Sequence, residues 1–231
     1  LIHRRNLNLP VVAVTGSVGK TTTRELIRAL LSPLGEIVSS RGNENNDIGV
    51  PKTLLRGSET DAAFVLEMGM RGFGQIERLS RVAEPDIAVI TNIGHAHIGI
   101  LGNRENIAKA KSEITSNLRS DGVVIIPFGD LLLEKALAER WSGRIVRVAI
   151  DGSPINWRVC NEDNTAIKDV EPDYISKIDM QNNIISFEGS EFKLPLEGRH
   201  NALNFLIALT VATELGVSVK HLDQSKINMP T

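Results

Sequence analysis

One stretch limits what this chain can become. Val11-Val12-Ala13-Val14 is followed by Thr15-Gly16-Ser17-Val18-Gly19-Lys20-Thr21-Thr22-Thr23, and then by Arg24-Glu25-Leu26-Ile27-Arg28-Ala29-Leu30-Leu31. The first part is a continuous apolar run, the pattern of a buried strand. The last carries apolar residues on one face at helical spacing. A strand feeding a helix through a glycine loop aims backbone N–H groups and the helix's positive end at one point, which suits phosphate. The residues at hand for that cradle are Thr15, Gly16, Ser17, Val18, Gly19, Lys20, Thr21 and Thr22. Lys20 is placed to reach the outer phosphates of a nucleotide, and the Thr21 hydroxyl to ligate Mg²⁺. The spacing is short: the common pattern has a glycine five residues before Gly19, where this chain has Val14. A Gly-Lys-Thr in a surface turn is the plain alternative, and the strand before and helix after argue against it.

The length, 231 residues, fits one large domain or two small ones. Acidic and basic residues number 28 and 26, so no basic excess points to nucleic acid or to an anionic membrane. The single cysteine, Cys160, cannot form an internal disulfide and fits a reducing, cytoplasmic setting. No apolar run approaches the roughly 20 residues of a membrane span. The start, Leu1 to Asn6, has neither Met nor a signal-peptide core, and residues 1–10 read as a linker or the tail of a preceding domain. A monomer without nucleic-acid or membrane partners is expected.

From Val11 to Ile150 strands and helices alternate. Strands are expected at Glu36–Ser40, Ala62–Leu66 (ending on Glu67), Asp86–Thr91, Gly122–Pro127 and Arg144–Ile150. Helices are expected at Gly49–Leu55, Gln75–Val82, Arg104–Leu118 and Leu131–Trp141, the second stopped by Glu84-Pro85. Near-continuous apolar strands between helices mean an α/β fold, a mostly parallel sheet covered on both faces. From 151 to 196 the style changes to short strand-like pieces without helices: Asn156–Cys160, Tyr174–Met180, Ile184–Glu188 and Glu191–Leu194, with Gly189-Ser190 as a hairpin turn. These predict a smaller antiparallel β section packed against the parallel core. A last long helix opens at Gly198-Arg199-His200-Asn201 and stops at Gly216, with Ser218 capping one short helix more.

Ligands in such sheets bind at the carboxyl ends of the strands, and the polar residues of interest follow those ends. Glu67 closes an apolar strand and is placed to hold Mg²⁺ beside a phosphate loop; the bland reading is a strand-end turn. His95 and His97 could be metal ligands, a general base or plain loop residues, and no neighbour at zinc spacing supports a structural zinc. Ile107, Ala110, Ile114 and Leu118 mark the buried face of their helix, and Lys111 lies on it. A buried lysine has a lowered pKa, and its neutral amine reacts with a carbonyl or with CO₂. The alternative is a packed stem with a snorkelling head. Asn201 and Asn204 share a helix face, suited to an adenine edge or to capping. Asn45 and Asn46 lie in an Asn-rich loop that is either a turn or a ligand-contact loop.

Taken together, these stretches resemble the Mur ligase family. The loop from Val14 to Thr23 looks like its shortened ATP-binding loop. Leu66-Glu67-Met68-Gly69-Met70, Thr91-Asn92-Ile93-Gly94 through His97 to Gly102, Ala108 to Ile114, and His200-Asn201-Ala202-Leu203-Asn204 occur in the family's order. Gly42 to Pro51 resembles the member that adds D-alanyl-D-alanine to the UDP-N-acetylmuramoyl-tripeptide. The resemblance covers about Leu9 to Leu215. It implies that Lys20 and the loop hold ATP, that Thr21 and Glu67 hold one Mg²⁺ and His97 a second, and that Lys111 is carbamylated to serve that second ion. It also implies that His200, Asn201 and Asn204 border adenine and that Asn45 and Asn46 lie near the peptide. Residues 11–231 would be the family's central ATPase domain. The flanking domains for the UDP-sugar and the incoming dipeptide have no counterpart here, so the chain alone is expected not to ligate.

Two other classes compete. A guanine-nucleotide switch would carry Asn-Lys-x-Asp after a strand, and the sequence has none. A relative from cyanophycin or folylpolyglutamate synthesis, or a nonenzymatic nucleotide-binding module, would share the loop. The Asn-rich loop and Glu67-Met68-Gly69 favour the cell-wall ligase by resemblance.

Overall fold

The structure, a computed structural model, describes residues 2–152, 157–160, 166–222 and 224; residues 157–160, 166–169 and 221 are described by backbone alone. Asn156 and the end Asn228 to Thr231 lie outside the described residues. The elements run α1 (Ile2–Leu7), β1 (Val11–Thr15), α2 (Lys20–Leu31), β2 (Ile37–Ser39), α3 (Gly49–Leu54), β3 (Ala63–Glu67), α4 (Gln75–Ala83) and β4 (Ile87–Ile90). Then come α5 (Ile98–Leu101), α6 (Arg104–Ser112), β5 (Val123–Pro127), α7 (Leu131–Ala138), β6 (Arg144–Ile150), β7 (Trp157–Cys160), β8 (Ala166–Val170), β9 (Tyr174–Asp179), β10 (Ile184–Phe187), β11 (Ser190–Lys193) and α8 (Arg199–Glu214).

Nine strands form one sheet in the order β11-β10-β9-β6-β5-β4-β1-β3-β2. It is parallel from β2 through β9, and β10 and β11 close one side as antiparallel strands. The antiparallel section is therefore present, but β9 to β11 extend the parallel sheet edge to edge instead of stacking on it. Val148, Ala149 and Ile150 of β6 pair with Tyr174, Ile175 and Ser176 of β9, which leaves the core no break at that point. Only β7 and β8, among the described residues, form a separate two-stranded ribbon.

Both faces of the sheet are buried because alternate residues of each strand point to opposite sides. Val12 and Val14 of β1 join a core with α2 and α8, while Val11 and Ala13 join one with α3, α4, α6 and α7. Among the described residues no helix is long and apolar enough to cross a membrane.

Four details depart from the sequence reading. α6 ends at Ser112 and passes into a 3₁₀ turn, Glu113–Thr115, because the Ser112 and Thr115 hydroxyls turn back onto Lys109 and Ser112 carbonyls. The hairpin turn is Glu188-Gly189, both at positive φ, with Phe187 pairing with Ser190. A short helix, α5, follows His97, which stands at φ 68°. Residues 2–7 form α1, whose Arg4 is 4% exposed and donates to the Ala83 and Glu84 carbonyls and to Asp86. Ser218 does precede a short helix, the 3₁₀ turn Val219–His221, though without a side-chain cap bond.

Candidate functional site

The chain leaves β1 for β2 and then β3 on one side and later returns to β4 on the other. That reversal opens a crevice beyond the carboxyl ends of β1, β3 and β4, where α/β sheets bind ligands. The loop Gly16–Gly19 sits there and leads into the N-terminus of α2. Gly16 is at φ 153°, and a Cβ on it would stand 1.8 Å from the Thr91 hydroxyl, so only glycine lets β4 come this close. Gly19 is at φ 80° in the left-handed region, with the Asn204 amide 3.0 Å from where a Cβ would be.

The end of β4 pins this loop. The Asn92 amide accepts from the Val18 N–H (3.1 Å) and donates to the Val18 carbonyl (2.9 Å), and the Thr91 hydroxyl donates to the same carbonyl (2.6 Å). The Ser17 N–H donates to the Asn92 carbonyl, and the Ser17 hydroxyl accepts from the Gly94 N–H. The Lys20 ammonium folds over the loop and donates to the Gly16 carbonyl at 3.0 Å. The Thr15 hydroxyl, buried, donates to the Met68 carbonyl. Thr22 lies in the first turn of α2, and among the described residues its hydroxyl makes no hydrogen bond to this network.

Glu67, the last residue of β3, is 2% exposed and lies where three elements meet. Its carboxylate accepts from the Thr21 hydroxyl (2.8 Å), the Asn45 amide (2.9 Å) and the Arg24 guanidinium (3.3 Å). Its N–H donates to the Ser40 hydroxyl. Thr21 and Glu67 thus bring two hard oxygen donors together beside the loop, the donor chemistry that suits Mg²⁺ completed by phosphate oxygens and water. Among the described residues no group of three or more His, Cys, Asp or Glu is gathered for a metal, so any cation here draws further oxygens from its ligand.

A cleft of about 510 Å³ runs from Gly16 and Lys20 past Asn45, Asn46, Asp47 and Arg71 to His97 and Lys111. Lys111 is 1% exposed overall yet presents to this cleft. Burial, helped by the charge of Lys20, pulls its pKa down to about 7, so a large fraction of the amine is neutral near neutral pH. His97 is held below its ordinary pKa by burial and by the charges of Lys111, Lys20 and Arg71. His95 is exposed and does not line this cleft. Asn45 faces both the cleft and Glu67, while the Asn46 side-chain oxygen accepts from the Ile48 and Gly49 N–H groups at the start of α3.

The residues of α8 divide. His200 lines a second cleft of about 330 Å³ with Phe128, Val148, Ile150 and Leu203. That lining is mostly apolar, with Arg199 and His200 as its polar members. Asn204 is buried against Gly19, a contact to the phosphate loop. Asn201 donates back to the Glu197 carbonyl, so the three residues do not share one surface.

Three site residues went unremarked in the sequence. Asn92 directly follows a strand end, the signal that singled out Glu67. Arg24 lies on the apolar stripe of α2 with Ile27 and Leu31, the same anomaly that singled out Lys111. Arg71 had no such signal in its glycine-flanked loop.

This geometry has close relatives. The sequence model of the Mur ligase middle domain matches residues 14–212. The UDP-N-acetylmuramoyl-tripeptide–D-alanyl-D-alanine ligase of Synechocystis is 38% identical over 219 residues, 95% of this chain and 44% of that protein. A crystal structure of MurF from Acinetobacter baumannii superposes with a TM-score of 0.78 at 32% identity, over 94% of this chain and 46% of that one. A MurF ligase from Thermotoga maritima, solved in complex with ADP, gives 0.69 at 28% identity, over 93% and 48%. The chain spans less than half the length of each. With the model match running through the phosphate loop, Glu67, Lys111 and Asn204, the chain belongs to the Mur ligase family and carries its middle domain.

Proposed function

We propose that this chain is the nucleotide-binding part of a ligase that joins D-alanyl-D-alanine to a UDP-N-acetylmuramoyl-tripeptide with ATP. The observation that carries the reading is Lys111, a buried amine with a pKa of about 7 opening on the same cleft as the phosphate loop. The names of the relatives supply the substrates.

On this reading the loop N–H groups and Lys20 hold the outer phosphates, with Lys20 exchanging its bond to Gly16 for phosphate oxygens. The second cleft receives the base beside His200, and Asn204 supports Gly19 from behind. Thr21 and Glu67 would hold Mg²⁺, which offsets negative charge at the phosphates when bound. The neutral Lys111 amine adds CO₂, losing a proton, and the resulting carbamate stands with His97 as a further oxygen and nitrogen donor pair. The peptide carboxylate attacks the γ-phosphorus, ADP leaves, and an acyl phosphate forms. The dipeptide amine displaces phosphate from it and gives up a proton. Residues 11–231 serve as the central domain, with 1–10 as the link before it. Ligation needs more chain than this, and a cytoplasmic monomer is the setting that fits.

Calorimetric titration of the chain with ADP and Mg²⁺ tests the nucleotide site. Wild type should bind, and Lys20→Ala should lose at least about tenfold in affinity. Equal binding by the variant overturns the site. In the complete protein, phosphate release that does not require both peptide and dipeptide overturns the ligase.

A further inference from the structure

We propose that Arg71 holds the carboxylate of the acyl donor as it is phosphorylated, a contact that orients the substrate and selects for it. This rests on the ligase reading above and assigns one wall of its cleft.

The cleft is lined by several cations, and all but one are committed. Lys20 donates to the Gly16 and Ser17 carbonyls, on the phosphate side. Lys111 is buried, and on the reading above its amine is the group that takes CO₂. Arg71 lines the cleft, and among the described residues its guanidinium makes no hydrogen bond or ion pair. Its charge reaches the same space, because it is one of those that lower the His97 pKa.

The backbone that carries Arg71 is fixed from three sides. Its own N–H donates to the Gln75 side chain at 2.7 Å. The Gly74 and Glu77 N–H groups donate to the buried carboxylate of Glu113, at 2.7 and 3.3 Å. The Gly69 N–H donates to the Asn45 carbonyl at 2.7 Å, which joins this loop to the residue that also holds Glu67. A surface arginine of no consequence needs no such anchoring. An arginine meant to meet a substrate does, because a site is only as accurate as the backbone that presents it.

The chemistry asks for such a group. A carboxylate has to approach a polyphosphate, and the two anions repel. Lys20 and the loop N–H groups serve the phosphates. A planar guanidinium can take both carboxylate oxygens and hold the acid in the plane of its fork, leaving a lone pair on one oxygen for the γ-phosphorus. An ammonium would offer charge without that orientation.

The test is steady-state kinetics of the complete protein. Arg71→Ala should raise KM for the peptide donor by about tenfold or more and lower kcat, with KM for ATP unchanged. Arg71→Lys should recover KM in part and kcat little. An unchanged donor KM in Arg71→Ala, or a KM for ATP that rises with it, overturns the proposal. The backbone bond to Gln75 survives in both variants, and a thermal melt matching wild type shows that the loop has not collapsed. ADP titration of Lys20→Ala separates the two readings. If it binds as wild type does, the nucleotide site falls; if it does not and Arg71→Ala leaves donor KM unmoved, the Arg71 assignment alone falls.

Discussion

The Asn45 amide donates to Glu67 Oε1 at 2.9 Å while the Thr21 hydroxyl donates to Oε2 at 2.8 Å, so one carboxylate is held from two loops at once. The Asn-rich loop after β2 is thereby tied through Glu67 to the start of α2 as well as forming part of the cleft wall. A buried carboxylate that loses a donor is worse placed for a cation and costs more to keep ionised. Asn45→Ala should therefore weaken Mg²⁺-dependent ADP binding by about three- to thirtyfold while ADP binding without Mg²⁺ changes little. Mg²⁺ titrations of nucleotide affinity decide it. Equal loss with and without the ion would mean that Asn45 touches the nucleotide itself.

Gly16→Ala places a methyl 1.8 Å from the Thr91 hydroxyl and keeps φ at 153°, where a side chain is strained. The expected loss is about 2–4 kcal/mol of stability. Adding Thr91→Ala removes the hydroxyl but leaves its Cβ about 3.1 Å away, so the double variant should regain only part of the loss. Chemical denaturation of the four proteins of the cycle measures the coupling. Additive effects would show that β4 and the loop can separate without cost.

Much of this was legible in the residues, for reasons that differ by element. The parallel strands were readable because burial on both faces makes them apolar throughout, as Val11 to Val14 and Val123 to Ile126 are. Lys111 was readable because a charge on an apolar helical stripe breaks the pattern. The pairing of β6 with β9 was not readable: strands this short announce alternation but not their neighbour. Nor was the sharing of Glu67 among Thr21, Arg24 and Asn45, because contacts 22 to 46 residues apart leave no local periodicity. The division of labour between Asn201 and Asn204 was equally hidden. Their spacing gives a common face, yet one amide turns back to Glu197 and the other meets Gly19.

Arg4 ties α1 to the far end of the sheet, away from the cleft. Its guanidinium is 4% exposed and reaches two carbonyls and Asp86, whose carboxylate also accepts from the Val11 N–H at 2.7 Å. Asp86 keeps Arg119 as a second, more exposed partner at 3.3 Å. Arg4→Ala should therefore cost about 1–3 kcal/mol, less than a fully buried pair would. Hydrogen exchange should speed up in α1 and at the start of β1, with ADP affinity unaltered. A loss of ADP affinity would show that α1 is coupled to the phosphate loop.

Lys111 makes stability depend on pH in a direction opposite to that of a paired lysine. Its folded pKa is lowered from 10.5 to about 7, chiefly by burial. Between those values the unfolded chain binds the proton and the folded one does not, so this contribution to stability rises with pH through that window. Below about 7 both states are protonated, and the full cost of enclosing the charge is present. Lys111→Met keeps the stem and removes the charge. It should stabilise the chain at pH 6 by on the order of a few kcal/mol, an advantage that shrinks toward pH 10. Denaturation midpoints of both proteins from pH 6 to pH 10, in buffers purged of CO₂, make the comparison. A constant difference across that range would mean that the amine reaches water. Repeating the series with added bicarbonate probes the amine's reactivity. Carbamate formation on the neutral amine should stabilise wild type above pH 7 and leave Lys111→Met where it was.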